Sequence, residues 1–449
     1  MKKNVFTLII AASIVIITNN NSFAQNPIIR DQFSADPSAR VFGDSVYLYP
    51  SHDILPVEGA SRPGWFCMED YHVFSSGNLT DWVDHGVIVS QTSVPWTNPK
   101  AFSMWAPDCI YRNGKYYFYF PAPAKDTTIL GRGFRIGVAI ADKPTGPFAP
   151  LENPIQNVRG VDPNPFIDHN GQAYLFWSMG KIYAAKLKEN MTELASEPIS
   201  IQGLPEKGLK EGPFMFERNG IYYLTYPHVE HTTERLEYAM SDNPLGPFKV
   251  AGVLMDESPN CWTNHHSIVE FKHQWYLFYH QNDYSPHFDK NRSVRIDSLF
   301  FNDDGTIRKV TPTLRGVGVT EASEKIQIDR YSKISEQGAS VDFLDTLNRF
   351  EGWKTIFNSA NAWIQYDAVD FGNKTYKSVT LRTVSTAGGK IELRLDKSDG
   401  PLIAEVDIPK GNDWGVVTFP LSKIEHGIHN LIVTSKNDSV VEIDWISFK

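Results

Sequence analysis

The sequence lacks the features that mark several large classes of protein. It has only three cysteines in 449 residues, Cys67, Cys109 and Cys261, an odd number too small for a disulfide framework. One bridge is possible, but buried free thiols are expected. No CxxC pair, HExxH motif or glycine-rich phosphate loop is present. Acidic residues outnumber basic ones, 52 to 43, and the net charge of −9 argues against a nucleic-acid binder, which needs a basic face.

Long hydrophobic runs are also scarce. The apolar stretch from Val5 to Thr18 follows Met1-Lys2-Lys3 and is too short for a bilayer, which needs about 20 residues. A basic start, a short apolar stretch and the small residues of Ser22-Phe23-Ala24 predict a secretory signal peptide over residues 1–24, cut after Ala24. Because Gln25 follows instead of Cys, no lipoprotein anchor is indicated. We expect a secreted or periplasmic protein without membrane insertion.

Helical periodicity is nearly absent, and a hairpin signal recurs in its place. A tight-turn pair followed by an aromatic and β-branched run predicts a β-hairpin, because Asn-Gly readily adopts positive φ. The copies lie about 50–70 residues apart, a period that suits a four-stranded propeller blade. They are 43–49, 113–119, 170–176, 219–225 and a degenerate fifth copy at 273–279.

Further strands are predicted between these hairpins, toward the outside of each blade. Two of them run into nearly identical turns, Lys143-Pro-Thr-Gly-Pro-Phe148 and Asn243-Pro-Leu-Gly-Pro-Phe248. Five copies predict an all-β fold with a five-bladed β-propeller from about 28 to 320, and we assign residues 25–322 to it. The predicted outer strands are 71–75, 134–141, 182–187, 236–241 and 293–301.

The last 120 residues lack the blade signal. Short alternating strands with turns between them predict a second domain, a jelly-roll-like β-sandwich over residues 325–449. The predicted strands are 379–384, 390–396, 403–408, 415–419, 429–434 and 440–448.

One polar motif precedes each hairpin at a similar spacing. The innermost strand of a blade lines the central channel, so equal spacing predicts that these side chains gather around one axis. Crowded carboxylates push one another's pKa values apart, and an acid and a base are what glycoside hydrolysis requires. The alternative is that Asp-Pro and Glu-Gly-Pro merely initiate turns. The residues are Asp36, Asp108, Asp162, Glu211 and His265.

Ala-Asp36-Pro, Val-Asp162-Pro and Glu211-Gly-Pro, in this order and spacing, resemble the catalytic trio of glycoside hydrolase family 43. The resemblance covers about residues 28–320. It implies that Asp36 is the base that activates water and that Glu211 is the acid that protonates the leaving oxygen. Asp162 would raise the pKa of Glu211 and orient it. The family inverts the anomeric configuration.

Other motifs carry the same resemblance. It implies that Trp105, in Trp-Ala-Pro-Asp, walls the sugar pocket, and that Arg292 touches the substrate or Glu211. Asp108 is assigned to substrate binding as well. The alternative is that Asp108 serves only to position Trp105. His265 resembles the channel histidine that holds a calcium or sodium ion, largely through water, and is also assigned to the substrate site. No organic cofactor is expected.

The C-terminal region resembles a family 6 carbohydrate-binding module over about residues 325–449. In that family a loop Trp and a loop Tyr stack on a sugar. Trp414 occupies the matching Trp position, and Trp363 or Tyr366 lies near the other. The alternative is a sandwich that only braces the propeller.

These features predict an exported, inverting glycosidase whose partner is an oligo- or polysaccharide. Arabinose- or xylose-containing plant polysaccharide is the expected substrate, cleaved by an α-L-arabinofuranosidase or a β-xylosidase. An endo-acting xylanase or arabinanase and a galactose-releasing enzyme of the same fold are alternatives. A non-catalytic glycan-binding protein is the alternative from another class.

Overall fold

The computed structural model describes residues 25–59, 62–209 and 211–449. The predicted signal peptide lies outside these residues. The described chain consists of strands and one 3₁₀ turn, Arg349–Glu351, which confirms the all-β prediction. No helix in the described ranges is long and apolar enough to cross a membrane.

Residues 35–299 form five antiparallel sheets in chain order, one for each predicted blade. Four sheets have four strands and the last has three. The strands are β1 (Ala35–Phe42), β2 (Ser45–Ser51), β3 (Asp70–Ser76) and β4 (Val83–Ser90); β5 (Asp108–Arg112), β6 (Lys115–Pro123), β7 (Phe134–Ala141) and β8 (Ala149–Pro150); β9 (Val161–Ile167), β10 (Ala173–Ser178), β11 (Ile182–Lys186) and β12 (Ile199–Ser200); β13 (Phe214–Arg218), β14 (Ile221–Val229), β15 (Glu234–Ser241) and β16 (Lys249–Met255); and β17 (His266–Phe271), β18 (Gln274–Gln281) and β19 (Ser293–Leu299).

The first strand of each sheet faces the central axis. Strands β1, β5, β9, β13 and β17 contact one another in a closed ring, as innermost propeller strands do. The predicted tight turns join them to the second strands. Asn113 and Gly114 have φ of 50° and 81°, and Asn219 and Gly220 have 55° and 79°, as the Asn-Gly pairs predicted.

The three-stranded fifth sheet is completed by the start of the described chain. The amides of Ile28 and Ser34 donate to the carbonyl oxygens of Val294 and Arg292 on and beside β19, at 2.9 Å each. The Asn26 side chain exchanges hydrogen bonds with the backbone of Ile296, at 2.9 and 3.1 Å. The segment 25–34 therefore lies along the outer edge of the last blade and closes the ring.

The remaining chain forms two facing sheets, the predicted sandwich. Its core is a single aliphatic and aromatic cluster between the sheets. One sheet has the strand order β20-β24-β29-β26-β27 with β21 beside β24, and the other the order β22-β23-β30-β25-β28. The strands are β20 (Thr320–Glu321), β21 (Lys333–Ile334), β22 (Ala339–Phe343), β23 (Trp353–Phe357), β24 (Trp363–Asp370), β25 (Ser378–Val384), β26 (Gly389–Leu395), β27 (Leu402–Ile408), β28 (Gly415–Pro420), β29 (Ile428–Ser435) and β30 (Val441–Phe448). The domain division at 322–325 stays a prediction; β20 lies just before it.

Aromatic and charged side chains join the sandwich to the propeller. Trp353 stacks on Tyr284 of the β18–β19 loop with ring centroids 4.8 Å apart, and the Arg330 guanidinium covers Trp353 at 3.6 Å. Gln25 donates to the hydroxyl of Tyr366 at 2.8 Å. Tyr284 and Tyr366 are both buried. The β18–β19 loop is thus held from the sandwich side.

Candidate active site

One pocket lies at the mouth of the channel, where the inner strands begin. It collects six of the eight residues that the sequence assigned to the propeller site or the sandwich, together with a set of aromatic side chains. Trp262 is 39% exposed, so an indole face is open at the rim. The lining residues are Asp36, Trp65, Phe66, Met68, Trp105, Ala106, Asp162, Glu211, Glu234, Trp262, Thr263, Asn264, His265 and Arg292.

A break in the strand pleat accompanies two of the carboxylates. Asp36 and Asp162 have φ of 45° and 55°, in the left-handed region that non-glycine residues rarely adopt. Each lies before a proline within an irregularity of strand pairing, between Ala35 and Ser38 in β1 and opposite Phe176–Ser178 in β9. A bulge re-aims a side chain. Both carboxylates reach the pocket at the cost of backbone strain, which is typical of functional sites.

Asp36 is held as a carboxylate. Arg292 donates to both of its oxygens, at 2.7 and 3.1 Å. Burial alone would raise the pKa of Asp36, but Arg292 and His280 overcome it and lower the pKa to about 2. The Asp36 amide donates to Nδ1 of His280, so the proton of this neutral imidazole is on Nε2, which donates to the Thr263 carbonyl at 3.0 Å.

Arg292 is shared between two buried carboxylates. Its Nε and Nη2 donate to the oxygens of Asp53, at 2.9 Å each. The guanidinium is 2% exposed and lies over the Phe66 ring at 4.7 Å. The predicted contact with substrate or Glu211 stays a prediction. The structure gives Arg292 a defined part in fixing the charge of Asp36.

Asp162 and Glu211 face a different environment. Asp162 Oδ2 accepts the amide of Gly212 at 2.8 Å, which fixes the backbone next to Glu211. Burial raises the pKa of Asp162 well above its usual range, and the negative charges of Glu211 and Asp36 add to the effect. Close carboxyl groups share a proton because they cannot both ionise. This pair therefore holds a proton at pH values where Asp36 holds none.

Asp108 is not brought to the pocket, so the predicted substrate contact does not fit its position. It pairs regularly with Tyr119, without the bulge that re-aims Asp36 and Asp162. Its carboxylate accepts from Ser38 and Arg40 and, at 2.8 Å, from Asn164. We infer that Asp108 joins the inner strands of three blades deeper in the channel.

Trp105 and His265 line the pocket, and the roles assigned to them from the sequence stay predictions. The Trp105 carbonyl accepts the Tyr71 hydroxyl at 2.6 Å, and its ring packs on Phe134 with centroids 4.4 Å apart. Burial lowers the pKa of His265, so its imidazole is neutral near neutral pH. Among the described residues, the groups of three or more side chains that could hold a metal do not include His265.

Sequence reasoning missed several residues of this pocket. Glu234 and Asn264 line it with buried side chains, and Asp53 and His280 support it from behind. Asp53 lies at the end of a hairpin and His280 near the end of β18, without a motif of their own. Glu234 stands at the start of β15, outside the polar motifs that precede the hairpins, so no sequence signal singles it out.

The sandwich residues lie apart from this pocket. Trp414 precedes β28 and is half-buried under the Arg382 guanidinium, which is 5.1 Å from its ring. Tyr366 is fully buried, and its hydroxyl bonds to Gln25 and Thr320. It is therefore unable to stack on a sugar as the structure stands, and Trp363 remains the second candidate.

Comparison with known proteins agrees with both halves of this architecture. Residues 24–307 match the model of glycosyl hydrolases family 43, and residues 335–449 match that of carbohydrate binding module family 6. The chain is 35% identical over 330 residues to xylosidase/arabinosidase 43A of Humicola insolens, covering 63% of this chain and 98% of that protein.

Solved structures show the same likeness. A family 43 β-xylosidase/α-arabinofuranosidase from a compost metagenome, crystallised with xylotriose in a calcium-free form, has 33% identity and a TM-score of 0.58. The match covers 64% of this chain and 98% of that one. An arabinoxylan arabinofuranohydrolase from Bacillus subtilis matches 95% of this chain and 99% of its own, at 23% identity and a TM-score of 0.55, which supports the two-part fold alone. With its propeller, the carboxyl groups of Asp36, Asp162 and Glu211 in one pocket and a family match over more than half its length, the chain belongs to glycosyl hydrolases family 43 and is a glycoside hydrolase.

Proposed function

We propose that this chain releases single arabinose or xylose units from plant polysaccharide as an α-L-arabinofuranosidase or β-xylosidase. The observation that carries the proposal is the opposed electrostatics of one pocket. A carboxylate held ionised by arginine faces a carboxyl pair that retains a proton. An inverting glycosidase needs such a division between base and acid. The aromatic walls suit the apolar faces of a sugar ring.

The roles follow from these environments. Asp36 takes a proton from water as that water attacks the anomeric carbon, and Arg292 keeps Asp36 ionised beforehand. Glu211 gives its proton to the leaving oxygen, so that the glycosidic bond breaks as the new bond to water forms. Asp162, by its charge and its bond to the Gly212 amide, keeps a proton in the pair and fixes Glu211 toward the substrate.

The surroundings of His265 would suit a cation that is held largely by water. The neutral imidazole supplies one nitrogen, while calcium prefers six to eight oxygens, so water would complete the shell. The name of one relative refers to a calcium-free form, which indicates that such structures can hold calcium. When bound, the ion would supply positive charge among the channel carboxylates. Asp36 and Glu211 perform the proton transfers in this proposal.

Export is part of the proposal and rests on the predicted signal peptide. Removal of residues 1–24 would leave Gln25 as the first residue, and its side chain is buried against Tyr366. Mass spectrometry of the protein recovered outside the cytoplasm should give a chain that starts at residue 25. A full-length mass in that fraction would contradict the cleavage site.

Dependence on the leaving group tests the role of Glu211. Glu211→Gln should lower kcat/KM about 100- to 10,000-fold on arabinoxylan oligosaccharides, whose leaving oxygen needs a proton. Dinitrophenyl pentosides, which need little protonation, should lose far less. An equal loss on both substrates would reject Glu211 as the acid.

The stereochemistry provides a second measurement. Proton NMR of the first-formed sugar should show the inverted anomer, because water attacks directly and no covalent intermediate forms. A panel of aryl α-L-arabinofuranosides, β-xylosides and galactosides identifies the sugar in the same assay. A first product of retained configuration would contradict Asp36 as a base.

A further inference from the structure

A buried acid in the pocket has no part in the proton transfers just described. Glu234 begins β15 and is 1% exposed. Its Oε2 accepts the amide of Asn264 at 2.8 Å, and its own amide donates to the Trp262 carbonyl at 3.0 Å. Glu234 therefore ties the loop that carries Trp262, Thr263 and Asn264 to the fourth blade.

This tie leaves other polar atoms of the same two side chains unused. Among the described residues, nothing hydrogen-bonds to Oε1 of Glu234 or to Oδ1 and Nδ2 of Asn264, although all three atoms are buried. Both residues line the pocket. Nε1 of Trp105, on the wall of the same pocket, is also buried without a partner. Buried polar atoms are nearly always paired, so these atoms require a partner from within the pocket.

The surrounding charges determine which hydrogen bond Glu234 offers. Burial raises its pKa to about 8, and the negative charges of Glu211 and Asp36 add to this while Arg292 opposes it. Asp162 is a further carboxyl group near Glu234. Glu234 is therefore a neutral acid near pH 7. Because Oε2 already accepts the Asn264 amide, Oε1 is the oxygen free to carry the proton and donate it.

We propose that Glu234 and Asn264 form a hydroxyl-recognition pair that binds the sugar in the pocket and contributes to the choice of substrate. Glu234 donates from Oε1 to one hydroxyl oxygen. Asn264 donates from Nδ2 and accepts at Oδ1, and it can bind a neighbouring hydroxyl. A pair fixed by burial recognises hydroxyl position strictly, since a sugar that lacks the hydroxyl leaves buried groups unpaired. The inference rests on the proposed glycosidase function and adds to it the residues that read the sugar.

Two substitutions at Glu234 separate recognition from loop support. Glu234→Gln keeps an acceptor for the Asn264 amide and a donor toward the pocket, so kcat/KM should stay within about threefold of the native value. Glu234→Ala removes both and should lower kcat/KM about 10- to 100-fold on an aryl pentoside. Asn264→Ala should show a loss of the same size. The matched control is Glu237→Gln, on the same strand, buried and bonded to His228 and Arg235 outside the pocket.

Deoxygenated substrates provide the decisive test. Each variant is assayed on aryl pentosides that lack the hydroxyl at C2, C3 or C4, and its rate is divided by that of the native enzyme on the same compound. For one of these compounds the loss in Glu234→Ala should shrink to less than threefold, because the hydroxyl that the acid binds is missing. The same test applied to Asn264→Ala identifies its hydroxyl and works even where Glu234→Ala does not fold.

An equal loss on the parent and on all three deoxy compounds would overturn the proposal and leave Glu234 as loop support. A Glu234→Gln variant as impaired as Glu234→Ala would also overturn it. Asp36→Asn and Glu211→Gln are assayed in parallel. If these two retained native activity, the proposed function itself would fail, whereas their loss together with a uniform Glu234 effect would reject only the recognition pair.

Discussion

The propeller mouth and the sandwich are built from the same kind of strand but differ in what they leave incomplete. In the sandwich, regular strands bury an apolar core, and its buried acid Asp444 is paired with Arg382. At the propeller mouth two strands bulge, carboxylates are buried together, and polar atoms of Glu234 and Asn264 remain unpaired. Strain and unpaired polarity reduce stability. Their concentration at one end of one domain indicates where the chain does its chemistry.

The largest expected effect compares a buried acid from each region. Asp36→Asn removes the base, so kcat should fall about 100- to 10,000-fold on every substrate, whatever its leaving group. Asp444→Asn, its counterpart in the sandwich, should leave kcat within about twofold and change only the melting temperature. Steady-state rates and thermal melts of both variants make the measurement. Near-normal turnover by Asp36→Asn would show that Asp36 is not the base and that the two buried acids do not differ in their importance for catalysis.

The next effect concerns the arginine that distinguishes Asp36 from the other pocket acids. Arg292→Lys keeps the charge but loses the paired bonds to both oxygens, so the pKa of Asp36 should rise from about 2. Its ionised form would then be lost at higher pH, and the acid limb of kcat/KM should move up by roughly one unit. The Asp36–Arg292 contribution to stability is complete above the ordinary Asp pKa of 3.8 and disappears as pH falls through about 2. An unchanged acid limb would show that Arg292 does not control Asp36.

A smaller effect tests whether the two regions act independently. Trp353→Ala removes the ring that stacks on Tyr284, in the loop that leads to Arg292. A buried Trp→Ala change costs about 3 kcal/mol, and the melting temperature should fall by roughly 5–10 °C. We expect kcat/KM to fall severalfold at a temperature where the variant is folded. Native kcat/KM would show that the sandwich does not support the pocket.

The smallest effect on catalysis belongs to Trp414. A sugar stacked on an aromatic face contributes about 1 kcal/mol, so Trp414→Ala should weaken retardation of the full chain in gels that contain xylan or arabinan. Rates on a small aryl pentoside should equal those of the native enzyme. Unaltered retardation would assign the sandwich a supporting role only, and the interface at Trp353 would then be its main contribution.

Repetition made the fold predictable from sequence, whereas the pocket was predictable only in part. Asn113-Gly114 and its counterparts predicted tight turns. Because these turns recur at a nearly regular spacing, they also predicted the propeller blades. The motifs around Asp36, Asp162 and Glu211 indicated the carboxylates. The same spacing assigned Asp108 to the site, but Asp108 is not among the residues that line the pocket, because spacing does not report a bulge. Glu234 and His280 come from positions that meet the pocket only through tertiary packing, which leaves no local pattern.

The segment that closes the ring also has a consequence for the order of events during synthesis. Gln25 and Asn26 bond to partners at Ile296, Thr313 and Tyr366, which are made some 270 to 340 residues later. The first blade can form early, but the fifth blade, which lies beside it in the closed ring, has not yet been synthesised. The ring can lock only when most of the chain has left the ribosome, and such distant contacts slow folding. An active pocket is therefore a late product, which would suit the proposed export, because the chain would cross the membrane before its ring closes.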